Sequence, residues 1–257
     1  MAHKIMVAIQ KGGQSKTTST VIIAEMMAAS GYKVLVLDLD SQGNATQMLT
    51  QKSIYANSGN TILEAIKDRN PKKYILHPRP NIDLLPADDM LISFSRYIYR
   101  ERVKNPVKTL ENAMKEIEND YDFILMDCPP NLGDIVLNAI VYSDHIIVPV
   151  NPDAFGMDAL DRFVENIKDA KAAGHTTADI LGIVFTLRDK RNVLERTIGD
   201  NIRERYKDLV FDSEIRRRAK LKEYAFTGVS MDRKQDVDML SDYIELTIEI
   251  IDRIKKG

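Results

Sequence analysis

The stretch KGGQSKTT, Lys11 to Thr18, joins a short apolar run (Ile5 to Ile9) to a segment that reads as helix (Thr18 to Ser30), and its reading decides the fold. Adjacent glycines let consecutive backbone N–H groups turn inward as a concave anion nest, and the helix that follows aims its positive end at the same point. In such a loop Lys16 supplies a point charge for terminal phosphates and Thr17 a hydroxyl for Mg²⁺. The expected phosphate-binding stretch is therefore Lys11, Gly12, Gly13, Gln14, Ser15, Lys16, Thr17 and Thr18. The standard pattern G-x-x-x-x-G-K-[ST] is not met, because Gln10 and Ser15 stand where its two outer glycines belong.

Working outward, Lys33 to Leu39 (KVLVLDL) reads as a second buried strand whose end carries Asp38 and Asp40, followed by SQGNAT, Ser41 to Thr46. Strand, loop, helix and strand make a βαβ unit, which sets those carboxylates at the C-terminal sheet edge beside the glycine loop. Tyr121 to Asp127 (YDFILMD) is a further buried strand, ending in Asp127 and DCPPNLG. Phosphoryl transfer needs a phosphate cradle, a metal near the phosphates and a group that orients attacking water. These three features supply the candidates.

The remaining pattern extends the same architecture. Thr61 to Lys67 and Val107 to Ile117 have helical spacing, and Ile82 to Leu85 is a short strand before Pro86. His145 to Val150 (HIIVPV), Ile180 to Leu187 (ILGIVFTL) and the short Leu209 to Phe211 read as strands. Gly156 to Ala172, Asn192 to Tyr206 and Val237 to Lys256 read as helices. Strands alternating with helices predict an α/β fold, a mostly parallel twisted sheet with helices on both faces, here as one domain over residues 1–257.

Composition narrows the function classes. A 257-residue chain that is 44% hydrophobic and 29% charged can bury a large core, and its net charge of -2 gives no global attraction to nucleic acid or anionic membrane. The single cysteine, Cys128, excludes an internal disulfide and a four-cysteine metal site, and reads as a packed thiol in a reducing cytoplasm. His3, His77, His145 and His175 are too scattered for a histidine metal site. With no signal-like segment and no apolar run of about 18 residues, a soluble protein is expected.

KGGQSKTT with its early Lys11, then VLDLDSQGNAT, ILMDCPP and HIIVPVNPDAF, resembles the deviant Walker-type ATPases related to ParA, Soj and MinD, over Lys4 to about Ala225. The resemblance implies a P-loop NTPase that binds ATP and Mg²⁺ and works as a homodimer, with two subunits facing each other across two nucleotides. It makes Lys11 the signature lysine that reaches the partner subunit's phosphates, which accounts for Gln10. Lys16 then contacts the β- and γ-phosphates in its own subunit. Asp40 helps position the metal's water shell and the attacking water, with Asp38 close by. Asp127 becomes the Walker B carboxylate, acting on Mg²⁺ through water. The expected catalytic set is Lys11, Lys16, Asp40 and Asp38, and the expected metal set is Thr17, Asp40 and Asp127. Pro129 and Pro130 fix a switch-like loop after Asp127, and Thr186 to Asp189 ends a strand near where relatives seat the adenine.

Two departures qualify the resemblance. Ser15 replaces the family's glycine before the lysine, where a side chain hinders closure or donates to a phosphate oxygen. SEIRRRAKLKEYA, Ser213 to Ala225, replaces an Ile-Pro pair with consecutive arginines. From Arg188 to Lys222 there are 12 basic and 7 acidic residues, a local excess of +5 against -7 for the rest of the chain. Arg216, Arg217, Arg218, Lys220 and Lys222 are therefore the expected contacts to DNA phosphates, made without reading bases; the alternative is a solvated charged helix face. The resemblance implies a partition ATPase on the nucleoid, switched by ATP-dependent dimerisation and stimulated by a ParB-like centromere-binding protein. A MinD-like regulator at a membrane is the alternative, disfavoured because YIELTIEIIDRI (Tyr243 to Ile254) suits a core and no basic amphipathic tail follows.

Overall fold

The computed structural model describes residues 1–189 and 191–256, the side chains of Lys222 and Ala225 excepted. Eight strands among them form one sheet: β1 (His3–Val7), β2 (Val34–Asp38), β3 (Leu76–Arg79), β4 (Ile82–Leu85), β5 (Phe123–Asp127), β6 (His145–Val150), β7 (Asp179–Arg188) and β8 (Val210–Arg216). Their order is β3-β4-β2-β5-β1-β6-β7-β8, parallel throughout except for the antiparallel edge pair β3–β4. Strand order reverses around β1, so the loop leaving β1 opens into the crevice where ligands of open α/β sheets bind.

The helices are α1 (Lys16–Ala29), α2 (Asn44–Thr50), α3 (Ile62–Asp68), α4 (Phe94–Arg100), α5 (Thr109–Met114), α6 (Asp134–Tyr142), α7 (Ala154–Ala172), α8 (Val193–Tyr206), α9 (Ala219–Thr227) and α10 (Lys234–Lys256). Alternate strand residues divide between two cores, as a two-faced sheet requires. Met6, Leu35, Leu37, Met126 and Val148 pack on one face with residues of α3 to α8. Ile5, Val7, Val36, Leu125 and Ile147 pack on the other with α1, α2, α9 and α10. Helix α1 is apolar nearly all round because it lies between sheet and α10, and Ser19 of α1 shares a 3.1 Å hydrogen bond with Tyr243 of α10.

The long, periodic elements follow the sequence reading to within a few residues. Its misses are short. Helices α2, α4, α6 and α9 and the edge strand β3 have too few turns or alternations to stand out from the pattern. The basic segment also differs from the expectation: β8 runs on to Arg216 and α9 begins only at Ala219, so the three arginines bridge a strand and a helix.

Arg253 fastens α10 to the sheet. Its guanidinium donates to the carbonyls of Leu181 (3.1 Å), Asp208 (2.9 Å) and Val210 (3.0 Å), pairs with Glu249 (2.9 Å) and lies 4.2 Å from the Phe211 ring centroid. Arg253→Ala leaves those carbonyls without this donor and removes the ring contact. The variant is expected to lose about 2–3 kcal/mol of unfolding free energy, checked by urea denaturation.

Candidate functional site

The loop between β1 and α1 curls over the helix start. Gly13 has φ 73°, and Ser15 takes φ 60° and ψ 24°. Both are left-handed, a conformation that favours glycine and that costs a residue with a Cβ about 1–2 kcal/mol. This is why a glycine is expected at position 15, and Ser15 offers no capping hydrogen bond in return. Gln14, although polar, is buried and anchors the loop from behind. Its Oε1 accepts the Asn151 N–H (2.6 Å), and its carbonyl accepts the Thr186 hydroxyl (3.3 Å). In front lies an open recess of about 500 Å³, lined by Gly12 to Thr18, Asp40, Ser41, Gln42, Asn44, Pro129, Pro130 and Asn131.

Two carboxylates sit beneath this recess. Asp38 and Asp127 are direct register partners on β2 and β5, both fully buried. Burial, and then the charge of Asp38, push the Asp127 carboxyl well above the usual carboxylate range, while Thr17 and Lys16 favour its charged form. Neither Asp127 oxygen has a hydrogen-bond partner of good geometry among the described residues. Burial lowers the Lys16 pKa, opposed by Asp127 and Asp40, and the ammonium donates to the Lys11 carbonyl at 3.1 Å. Asp40 lines the recess, where its Oδ1 accepts the Gln42 N–H at 3.0 Å. The turn from Asp40 into α2 depends on Gly43, whose φ is 60° and where a Cβ would meet Ile54 Cγ2 at 2.5 Å.

Asp38, like Asp127, is fully buried behind the residues that line the recess. Its Oδ2 accepts the N–H (2.8 Å) and the hydroxyl (2.7 Å) of Thr46, and Oδ1 accepts the Asp40 N–H at 3.2 Å. The Thr46 hydroxyl oxygen in turn accepts the Ala87 N–H at 2.9 Å. Asp38 thus ties α2 and the segment after β4 to the end of β2, and positions Asp40 through the backbone.

Lys11 has a partner within its own chain: its ammonium is 2.6 Å from Asp153 Oδ1 and 5.8 Å from the Phe155 ring centroid. Asp153 is the N-cap of α7, its side chain accepting the Gly156 N–H at 2.6 Å. Sequence reasoning passed over it, although an aspartate directly before a helical run is a capping signal. Ser41, Gln42, Asn44 and Asn131 were missed too, because polar residues in a turn carry no periodicity. The Cys128 thiol is buried beside Asp127, and burial pushes its pKa well up, which keeps it a packed thiol.

The basic segment is assembled but tethered. Arg216 and Arg218 both pair with Asp242 of α10, and Lys220 lies 3.5 Å from Asp236. Burial works against the charge of Asp242, yet the Arg216 hydrogen bonds and the Arg218 charge hold its carboxyl below the usual range. Arg217 faces Glu195 at 3.7 Å. Arg216, Arg217, Arg218 and Lys220 line an open groove, each set by a carboxylate. The fifth candidate, Lys222, has its side chain outside the described residues.

A glycine loop leading into a helix N-terminus, with a lysine and a buried carboxylate beside it, suits a triphosphate with its divalent cation, and this places the chain in the phosphate-loop nucleotidase class. A family model described as an AAA domain matches residues 2–180. A protein of Pseudomonas putida is 31% identical over 265 residues, spanning 100% of this chain and 97% of its own. Bacillus subtilis Soj, described as a sporulation initiation inhibitor protein, is 28% identical, spanning 87% of each chain. A cobyrinic acid a,c-diamide synthase from Mycobacterium smegmatis, solved with an ATP analogue and magnesium, superposes with a TM-score of 0.85 at 25% identity over 100% of this chain and 97% of that one. The chain belongs to the ParA/MinD-type ATPases.

Because Ser15 holds a left-handed conformation without a compensating cap, Ser15→Gly is expected to raise unfolding free energy by roughly 0.5–1 kcal/mol, less than the full left-handed cost because glycine also frees the unfolded chain. Denaturant unfolding of the nucleotide-free protein checks this, and ATP binding is expected to be retained.

Proposed function

We propose that this protein is a partition ATPase, a single-domain enzyme that hydrolyses ATP slowly to ADP and phosphate and couples the cycle to DNA. The observation that carries the chemistry is Asp127: a buried carboxylate with no hydrogen-bond partner of good geometry, beside Lys16 and Thr17 under a glycine loop. Such a carboxylate calls for a cation or its bound water. Thr17, Asp40 and Asp127 are the residues that would hold Mg²⁺, which supplies neutralisation of charge on the β- and γ-phosphate oxygens.

The remaining roles belong to the chain itself. The amides of Gly12 to Thr17 and the N-terminus of α1 receive the phosphates. Lys16 exchanges the Lys11 carbonyl for a phosphate oxygen, a stronger acceptor. Asp40 orients water at the terminal phosphate. Lys11 leaves Asp153 to meet the phosphates of a second subunit, so that the active site is completed by a homodimer, and Pro129 and Pro130 hold the loop that senses the terminal phosphate.

The basic groove of Arg216, Arg217, Arg218 and Lys220, with Lys222 as a further candidate, is read as a non-specific DNA surface. Dimerisation doubles it and so raises DNA affinity with ATP. The names of relatives support a partition role, among them a chromosome partitioning ParA from Myxococcus xanthus that is 28% identical over 85% of this chain and 77% of its own; a ParB-like centromere-binding protein is read as the activator. Among the described residues no helix is long and apolar enough to cross a membrane. The apolar stripe of α10 is packed on the sheet side, with Leu240, Tyr243, Leu246 and Ile250 buried, which supports a cytoplasmic, nucleoid-associated protein over a membrane-bound regulator.

Duplex DNA is expected to bind more tightly with a non-hydrolysable ATP analogue than with ADP. Affinity should fall with salt by about 0.9 log units per log unit for each phosphate neutralised. Lys16→Ala should abolish both turnover and the difference between nucleotides. Fluorescence anisotropy reads the affinity, and equal DNA binding with ATP analogue and ADP in the wild type would sink the switch.

A further inference from the structure

Arg217 occupies two environments at once. Its side chain is 56% exposed and lines the open basic groove with Arg216, Arg218 and Lys220. Inward, its Nε donates to the Leu187 carbonyl at 3.3 Å, its backbone N–H donates to the Arg188 carbonyl at 3.0 Å, and a terminal nitrogen lies 3.7 Å from Glu195. Glu195 is itself buried, and its Oε2 accepts the Asp189 N–H at 3.0 Å. Between these anchors Leu187 holds φ 56°, a left-handed conformation that a bulky side chain keeps only when its surroundings impose it.

The strained residue adjoins the nucleotide site. Thr186, one position earlier, donates its hydroxyl to the Gln14 carbonyl at the back of the phosphate loop, and that threonine is fully buried. A continuous set of contacts therefore runs from the outer groove through Arg217, Leu187 and Thr186 to Gln14. The groove ends of the other cations lead elsewhere, since Arg216 and Arg218 are held by Asp242, and Lys220 by Asp236.

We propose that Arg217 is a positioning residue for the nucleotide: it holds the end of β7, and with it the rear of the phosphate loop, and a polyanion in the groove competes for it and loosens bound ADP. The second half rests on the DNA reading of the groove. A guanidinium turned outward to phosphate oxygens, which are stronger acceptors than a peptide carbonyl, gives up its bond to Leu187 and its approach to Glu195. Leu187 is then free to leave the left-handed region, and Thr186 moves with it. By linkage, what loosens ADP on binding DNA is matched by weaker DNA binding in the presence of ADP.

The test is binding of a fluorescent ADP by wild type, Arg217→Ala, Arg217→Lys and Lys220→Ala, alone and with a short duplex DNA at low ionic strength. Without DNA, Arg217→Ala should bind ADP about fivefold more weakly, with Arg217→Lys recovering most of the loss. Saturating duplex should weaken ADP binding about fivefold in the wild type and leave Arg217→Ala unchanged, while Lys220→Ala needs more DNA but reaches the wild-type plateau. Adding Leu187→Gly to Arg217→Ala should restore ADP affinity, because glycine keeps the left-handed conformation without the guanidinium. An Arg217→Ala protein that binds ADP like the wild type overturns the positioning role. One that still loses affinity on adding DNA overturns the competition. A wild type that binds no duplex refutes the DNA reading of the groove, and the DNA-free comparison then decides the positioning role by itself.

Discussion

Two carboxylates buried side by side at the ends of β2 and β5, with a single lysine ammonium above them, set the terms for the rest of the site. Charges taken out of water repel each other strongly unless hydrogen bonds or cations offset them. The protein resolves the conflict asymmetrically. Asp38 is given three donors, two from Thr46 and one from the Asp40 backbone, and becomes part of the framework. Asp127 is left with the electrostatic help of Thr17 and Lys16 and is the group that gains most from a cation. The same sheet geometry that forces them together therefore leaves one aspartate well supplied with hydrogen-bond donors and the other poorly supplied.

The lysines of the loop share this logic of provisional partners. Lys16 rests on the Lys11 carbonyl and Lys11 on Asp153, both exchangeable contacts. Lys11 and Asp153 are partly exposed, so water screens their attraction and little opposes exchange for a phosphate. Asp153 also caps α7, so release of the lysine leaves that helix start still satisfied. The basic groove is built the same way. Its cations are held by Asp236, Asp242 and Glu195, which fixes where they point while reducing the net charge of the groove.

The fold and the location of the site were largely legible in the sequence. Apolar runs ending in Asp38 and Asp127 and a glycine loop after the first of the strands can be satisfied together by a parallel sheet whose C-terminal edge carries the ligand. The short elements were not legible, since α2, α4 and α9 offer fewer than three turns of periodicity. Nor was the tethering of the arginines, because Arg216 and Asp242 are 26 positions apart and nothing local links them.

The sequence by itself determined the class of chemistry: a lysine, a hydroxyl and carboxylates at fixed places on a phosphate loop, with Ser15 marked as unusual. Tertiary structure alone decided which aspartate receives hydrogen-bond donors, where Lys11 rests and why position 15 wants glycine. The division has a physical reason. Residue type and local spacing set what a group can do, whereas burial, register and backbone sign depend on what the rest of the chain brings alongside, as Thr46 and the Asp40 backbone do for Asp38.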